Sequence, residues 1–463
     1  METLTIYGRK PLHGIAYAHG SKNSALPILA ATLLLPDFSC IHNCPKLSDV
    51  AAAREILEAL GCKTTAKNHT VTVDATTVTA CEIPDALMLK MRSSVMFLGA
   101  ILGRMGEARL SAPGGCEIGL RPIDLHISAM RQMGANVQME HGKLRFTTPK
   151  GLHGAQITLA FPSVGATENI LLAAATAKGR TILQGAAREP EIVDLATFLN
   201  AAGAKIHGAG DSTIYIDGVK ALHGTEHDVI PDRIEAASYL LAGAITGGAV
   251  CVQNMCPTHI GALFPIFEEM GCLVKFGKTQ VDVKAPERLK PVKMTRTMPY
   301  PGFPTDAQAL LSAALTVANG TSVLIENIFE SRYKHAPFLA RFGAKISVEG
   351  RMEVIEGVPK LHGAVVNAPD LRGGMALVLA GLAAEGETVV HGLSHIDRGY
   401  EAPQEAFTNL GATIKRTKHD AKKDDNRKET DKTANDATTD GKTATEKANR
   451  NAKQTIGTAP TNV

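Results

Sequence analysis

The chain has 463 residues, 44% of them hydrophobic, with 4% aromatics and no Trp. That length supports two separate cores with a cleft between them, and the scarcity of aromatics argues against a base-stacking nucleic-acid surface. The net charge is +3, and residues 418–463, with 10 Lys/Arg against 8 Asp/Glu, supply +2 of it, so bulk electrostatics names no ligand.

The N-terminal run Met1-Glu2-Thr3-Leu4-Thr5-Ile6 has no basic region followed by an apolar core, and no later segment approaches 18 uncharged apolar residues. A soluble, cytoplasmic protein without membrane association is expected. Eight Cys stand at 40, 44, 62, 81, 116, 251, 256 and 272, with no CxxC pair and no His cluster beside them. No metal site is expected among them, and most are expected to be buried, reduced core thiols.

A short phrase recurs along the chain: an apolar residue, Gly, a small residue, then an alternating run. It occurs at Leu60-Gly61-Cys62, Met133-Gly134-Ala135, Ala202-Gly203-Ala204, Met270-Gly271-Cys272, Phe342-Gly343-Ala344 and Leu410-Gly411-Ala412, about 70 residues apart. Apolar-periodic stretches such as 51–60, 194–202 and 335–342 precede it, which predicts a helix ending on a Gly with positive φ and then a strand. A second turn feeding a β-rich run lies upstream of several copies, as in Lys178-Gly179-Arg180, Asn319-Gly320-Thr321 and Glu385-Gly386-Glu387. Six α/β units distribute as three per lobe. The pattern stops near Lys418, and the polar tail 418–463 lacks the apolar surface to order itself.

In chain order, the first candidate is Gly20-Ser21-Lys22-Asn23, which opens a helical run where a Lys and free N–H groups could hold a phosphate; an exposed first-turn Lys is the plainer reading. Pro113-Gly114-Gly115-Cys116-Glu117-Ile118-Gly119-Leu120-Arg121-Pro122 reads as a mobile Gly-rich loop with a thiol near an Arg, either a reactive Cys on a lid or a Cys packed under a turn. Phe303-Pro304-Thr305-Asp306 sets a carboxylate at the start of an apolar helix, as cap or as base, and taken alone the cap is favoured. Arg332, Arg372 (in Pro369-Asp370-Leu371-Arg372-Gly373-Gly374) and Arg398 border repeat strands and could share one cleft; singly, each reads as a solvated surface Arg.

Over about residues 1–417 these phrases, with Ser163-Val164-Gly165-Ala166-Thr167, Ala187-Arg188-Glu189-Pro190-Glu191-Ile192-Val193-Asp194, Pro231-Asp232-Arg233 and His395-Ile396-Asp397-Arg398-Gly399-Tyr400, resemble the UDP-N-acetylglucosamine enolpyruvyl transferases. The resemblance implies a two-lobed inside-out α/β barrel of six βαβαββ repeats, with lobes at 21–229 and at 1–20 plus 230–417. It implies transfer of enolpyruvyl from phosphoenolpyruvate to UDP-N-acetylglucosamine, with these two small molecules as ligands, no cofactor or metal, and no obligate protein partner. By that resemblance Lys22, Arg121 and Arg398 hold the donor phosphate, and Arg332 and Arg372 lie near its carboxylate, beside Asp370. Asn23 and Asp306 meet the sugar, with Asp306 as base. Arg92, Arg121, Pro122, Ile123, Asp124, Leu125, Ser163, Val164, Gly165 and Ile328 form the nucleotide-sugar site, and Cys116 is the lid acid.

Two features depart from the family pattern: Phe161-Pro162 replaces a basic-apolar pair, and the polar tail is additional. The shikimate-pathway transferase, with the same fold and donor, and a catalytically silent sugar-nucleotide sensor are the competing readings.

Overall fold

The computed structural model describes residues 2–111 and 123–418. Residues Leu4–Arg416 form one compact unit, which carries everything below, and at the described ends of the chain Lys418 Nζ lies 3.2 Å from Glu2. The six-repeat α/β architecture is present. One complete repeat runs strand Gln156–Thr158, helix Val164–Ala174, strand Arg180–Gln184, helix Pro190–Ala201, then the hairpin Lys205–His207 and Thr213–Asp217. Its sheet holds one parallel pairing, Ile182 with Gln156, and two antiparallel ones, Ile182 with Tyr215 and Ile206 with Ile216.

Among the described residues five sheets have four strands on this plan, and a sixth has three, with the isolated parallel bridge Glu82–Arg109 at the place of the fourth. Three sheets are completed from far along the chain, one of them by His13–Tyr17 running parallel to Ala249–Gln253. Strand Glu226–Asp228 runs parallel to Phe38–His42, and the N-terminal strand pairs Leu4 with Val390.

The recurrent Gly does what its spacing predicts. Gly61, Gly134, Gly203, Gly271, Gly343 and Gly411 all take φ between 85° and 103°, one residue past a helix cap. In each case the Gly N–H and the next N–H bond back into the last helical turn, as Gly61 N to Glu58 O (3.0 Å) and Cys62 N to Leu57 O (2.9 Å) do. An L side chain there would carry the αL penalty, so the phrase marks six Schellman stops.

Six Ala- and Leu-rich helices are buried around their circumference: Lys22–Ala31, Phe97–Met105 and Val164–Ala174 in one core, and Arg233–Ile245, Thr305–Leu315 and Leu371–Ala383 in the other. A helix apolar all round belongs inside. The sheets, whose strands alternate buried with half-exposed residues, wrap outside them. One core draws on residues from Ala25 to Val229, and the other on Leu4 to Ala18 and Ile234 to Leu410. The chain therefore passes between cores twice, and the passages run side by side: Gly20 bridges Pro231, Ser21 N donates to Ile230 O at 2.7 Å, and Asp232 N donates to His19 O at 2.7 Å.

The cysteines correct the expectation of mostly buried thiols. Of the seven described, Cys44, Cys62 and Cys272 are buried, whereas Cys40, Cys81, Cys251 and Cys256 are half-buried. Small strand and turn positions leave one side of these residues facing solvent. Cys116 lies outside the described residues.

Candidate active site

Four of the charged residues converge because they occupy the N-terminal ends of the inner helices. Lys22, Arg233 and Arg372 lie in first turns, and Asp306 is the second residue of Thr305–Leu315. Asp306 Oδ1 lies 3.1 Å from Arg332 Nη2 and 3.5 Å from Arg372 Nε. It is no helix cap: Pro304 holds the cap position, and no side chain caps that helix. The cap assignment fails because the two Arg, distant in sequence, outcompete the local N–H groups for the carboxylate.

Arg332 and Arg372 are 5% and 2% exposed, which overturns the solvated-surface reading for both. Arg332 also donates to Thr305 O at 3.4 Å, and Arg372 packs over the Tyr400 ring, 5.3 Å from its centroid. Arg332 Nε and Arg372 Nη1 are buried without a hydrogen-bond partner among the described residues. Donors of this kind are costly to leave unmet, and an anion would satisfy them.

Lys22 and Arg398 share a carboxylate that sequence reasoning missed. Asp49, buried in the first turn of Ser48–Ala59, accepts from Arg398 Nε at 2.9 Å and from Lys22 Nζ at 3.4 Å. Burial pushes the Lys22 ammonium below its ordinary pKa, with Arg372 and Arg398 adding to the effect and Asp49 opposing it. Burial alone would raise Asp306, but Arg372, Arg332, Lys22 and Arg233 together hold its carboxyl well below the usual range. Arg372 thus acts on both Lys22 and Asp306.

Arg233, quoted in a motif but given no role, donates from Nε to Glu191 Oε1 at 2.9 Å and faces the Tyr300 ring. Burial, with Glu191 and Glu189 adding to the effect, raises the Glu168 carboxyl well above its ordinary value. No local signal marks Asp49 or Glu191, since their partners are set by tertiary packing.

Of the positions expected to meet the nucleotide sugar, the segments 123–125 and 163–165 adjoin, and Ile328 lies apart from them beside Glu326. Ser163 caps Val164–Ala174, accepting from Ala166 N at 3.3 Å, and Val164 and Gly165 form the first turn. Asn169 on this helix donates to His126 Nδ1 at 2.9 Å and accepts from Gly99 N at 2.6 Å, which sets the segment Ile123, Asp124 and Leu125 beside it. A Cβ on Gly165 would crowd the His126 ring at 3.2 Å. Ile328 N donates to Glu326 Oε1 at 2.7 Å, and Glu326 Oε2 accepts from Thr305 Oγ1, next to Asp306. Asn23 is half-buried in the first turn of its helix. The Asp370 side chain caps Leu371–Ala383 through Arg372 N and Gly373 N. Cys116, Arg121, Pro122 and the Arg92 side chain lie outside the described residues.

Five cations, three of them in the first turns of buried helices and Arg332 and Arg398 on the connecting segments, gather with Asp306 and Asp49 in a fold of six α/β repeats. The sequence model of the family described as EPSP synthase (3-phosphoshikimate 1-carboxyvinyltransferase) matches residues 6–407, and the chain belongs to this family of enolpyruvyl, or carboxyvinyl, transferases.

Relatives sharpen the assignment. Over 416 residues the chain is 50% identical to UDP-N-acetylglucosamine 1-carboxyvinyltransferase 2 of Caldanaerobacter subterraneus subsp. tengcongensis, covering 90% of this chain and 100% of the relative. It is 47% identical over 420 residues to UDP-N-acetylglucosamine 1-carboxyvinyltransferase 1 of Symbiobacterium thermophilum, covering 90% of this chain and 95% of the relative. The enolpyruvyl transferase NikO from Streptomyces tendae aligns with TM-score 0.80 at 27% identity, over 90% of this chain and 99% of that one. EPSP synthase from Acinetobacter baumannii, at TM-score 0.69 and 20% identity over 90% and 100% of the two chains, shares the fold.

Proposed function

We propose that the chain moves the enolpyruvyl unit of phosphoenolpyruvate to the 3-hydroxyl of UDP-N-acetylglucosamine and releases inorganic phosphate, the first committed step of peptidoglycan precursor synthesis. In this reading it works in the cytoplasm, serves cell-wall growth, shape and division, and is a target of fosfomycin. The observation that carries it is the constellation of Lys22, Arg332, Arg372 and Arg398 around Asp306 and Asp49, in a chain 46–50% identical to transferases named for that acceptor.

The two hydrophobic cores support a division into lobes at 21–229 and at 1–20 plus 230–417, closing on ligand. Lys22, Arg121 and Arg398 would hold the donor phosphate, while Arg332 and Arg372 meet its carboxylate and Asp370 fixes the helix turn carrying Arg372. Asn23, Asp306, Ile328, Arg92 and the segments 121–125 and 163–165 would receive the sugar nucleotide. Phe161, exposed just before Ser163, offers no charge to the diphosphate where the family has a basic residue.

The chemistry is an addition followed by an elimination. The acceptor hydroxyl adds to the central carbon of the donor while Cys116 protonates the methylene, and phosphate then leaves as a methyl proton is removed. Asp306 takes the hydroxyl proton. In the free enzyme its carboxyl lies too far below neutrality to be a good base. A donor with several negative charges neutralises Arg372, Arg332 and Lys22 as it binds, and so raises Asp306 toward the range in which it accepts a proton. Base strength is thereby supplied by the co-substrate.

Phosphate release from phosphoenolpyruvate, measured with UDP-N-acetylglucosamine and separately with shikimate 3-phosphate, tests the proposal. Turnover is expected with the sugar nucleotide alone. Turnover with shikimate 3-phosphate instead, or with neither, overturns it.

A further inference from the structure

Where the chain passes between the two cores, two histidines and two glutamates meet. We propose that His19, His69 and Glu401 form a site for a divalent transition metal of the zinc class, and that the bound ion ties the two cores together beside the crossing strands. His19 lies on the first passage between the cores. His69 belongs to a hairpin of the first core, and Glu401 and Glu235 belong to the second.

The ligand geometry carries the proposal. One donor atom from each of His19, His69 and Glu401 lies within 4.8 Å of the other two. His69 Nε2 stands 2.8 Å from Glu401 Oε1, and the two imidazoles stack with centroids 6.0 Å apart. His19 turns Nδ1 toward Glu235 Oε1 at 3.0 Å, which leaves Nε2 as its metal ligand. This is the carboxylate–histidine–metal relay that fixes tautomer and ring orientation. Glu235 is itself held, accepting from Tyr239 Oη at 2.8 Å and from His19 N at 2.7 Å. The second oxygen of Glu401 accepts from Lys46 N at 2.8 Å, so Oε1 stays directed at the histidines.

Two imidazoles and one carboxylate form the three-ligand set that zinc uses when it keeps a position for water, and nitrogen donors select against calcium and magnesium. At 34% and 35% exposure, His19 and His69 leave an entry path. His69 also occupies a costly place: with Asn68 it forms the two-residue turn between Lys63–Lys67 and Thr70–Asp74, with φ of 50° and 60°, where Gly would follow Asn more comfortably.

The test is titration of the full-length, chelator-washed protein with Co2+ as a spectroscopic probe and Zn2+ as competitor. One equivalent of Co2+ is expected to give a visible d–d band without the near-ultraviolet thiolate charge-transfer band, and Zn2+ is expected to abolish it. His69→Ala and Glu401→Gln should each weaken binding at least about tenfold. Glu235→Gln, which meets the His19 ring on the side away from the ion, should weaken it roughly 10–100-fold. Zn2+ should raise the melting temperature of the wild type but not of His69→Ala, whose own transition in chelator shows that it is folded. Absence of a one-equivalent band, a thiolate band that places the ion on cysteine, or unchanged affinity in His69→Ala and Glu401→Gln would each overturn the proposal.

Discussion

Replacing Asp306 by Asn keeps the side-chain shape and removes the charge that Arg332 and Arg372 share. At the observed N···O separations of 3.1 and 3.5 Å, each attraction is worth about 5 kcal/mol at an effective dielectric constant of 20. Desolvation of a carboxylate that remains 31% exposed offsets several kcal/mol of this, so the net loss should be about 3 kcal/mol. With unfolding entropy near 2 cal/mol/K per residue over ~400 residues, that is about 4 °C in melting temperature. The folded carboxyl lies below its unfolded value near 4, so its contribution is complete above that value and is lost only as pH falls through the folded pKa. The deficit should therefore be constant between about pH 5 and 8. Inorganic phosphate should raise the melting temperature of Asp306→Asn more than that of the wild type, because it supplies charge to the two Arg. Turnover should fall by a factor on the order of 100 or more and not recover with phosphate. Thermal melts and phosphate-release kinetics read both effects, and near-normal turnover or a shift under about 1 °C would refute the reasoning.

Burial lowers His126 to about 4, so the unfolded chain binds a proton that the folded one refuses, and stability present above pH 6.5 is lost on acidification. About 2 kcal/mol should go between pH 7 and 5, and His126→Asn should flatten that part of the profile in chemical denaturation. A Cβ on Gly99 would fall inside contact distance of the Asn169 carbonyl, so Gly99→Ala should cost about 3 kcal/mol in urea melts, with unchanged stability as the contrary result. Fosfomycin should add its mass to the peptide containing Cys116. Burial pushes the thiols of Cys44, Cys62 and Cys272 up to about 12 and makes them poor nucleophiles, so a mass increase on any of those three would contradict the assignment. Removal of residues 421–463 should leave melting temperature and turnover nearly unchanged, and a large drop in either would show that the tail docks.

What could be read in the sequence was whatever a short stretch of chain decides by itself. The helix stop at Gly61 and its five counterparts follows from a backbone conformation that few residues tolerate, so it repeats visibly. The helix opening at Lys22 and the strand Arg180–Gln184 are equally local. Arg372 reads as a surface residue because its partner Asp306 is 66 positions away, and the Asp49–Arg398 pair spans 349. Nothing near Asp49 distinguishes a first-turn acid that complements a helix dipole from a counter-ion for two buried cations. His69 and Glu401 are separated by 332 positions, so their meeting follows only from the closed topology of both cores.

The adjacent passages at 19–21 and 230–232 have a consequence for the order in which the molecule can be made. Everything the first core needs, including the strand Glu226–Asp228 that completes its earliest sheet, has been synthesised by the time the second passage is made, well before the rest of the second core. That core can close while translation continues. The N-terminal strand, although made first, has no partner until Glu387–His391 emerges, and meanwhile it presents an unpaired edge. The side-by-side passages then hold that early strand near the growing second core, which shortens the loop its late pairing must close.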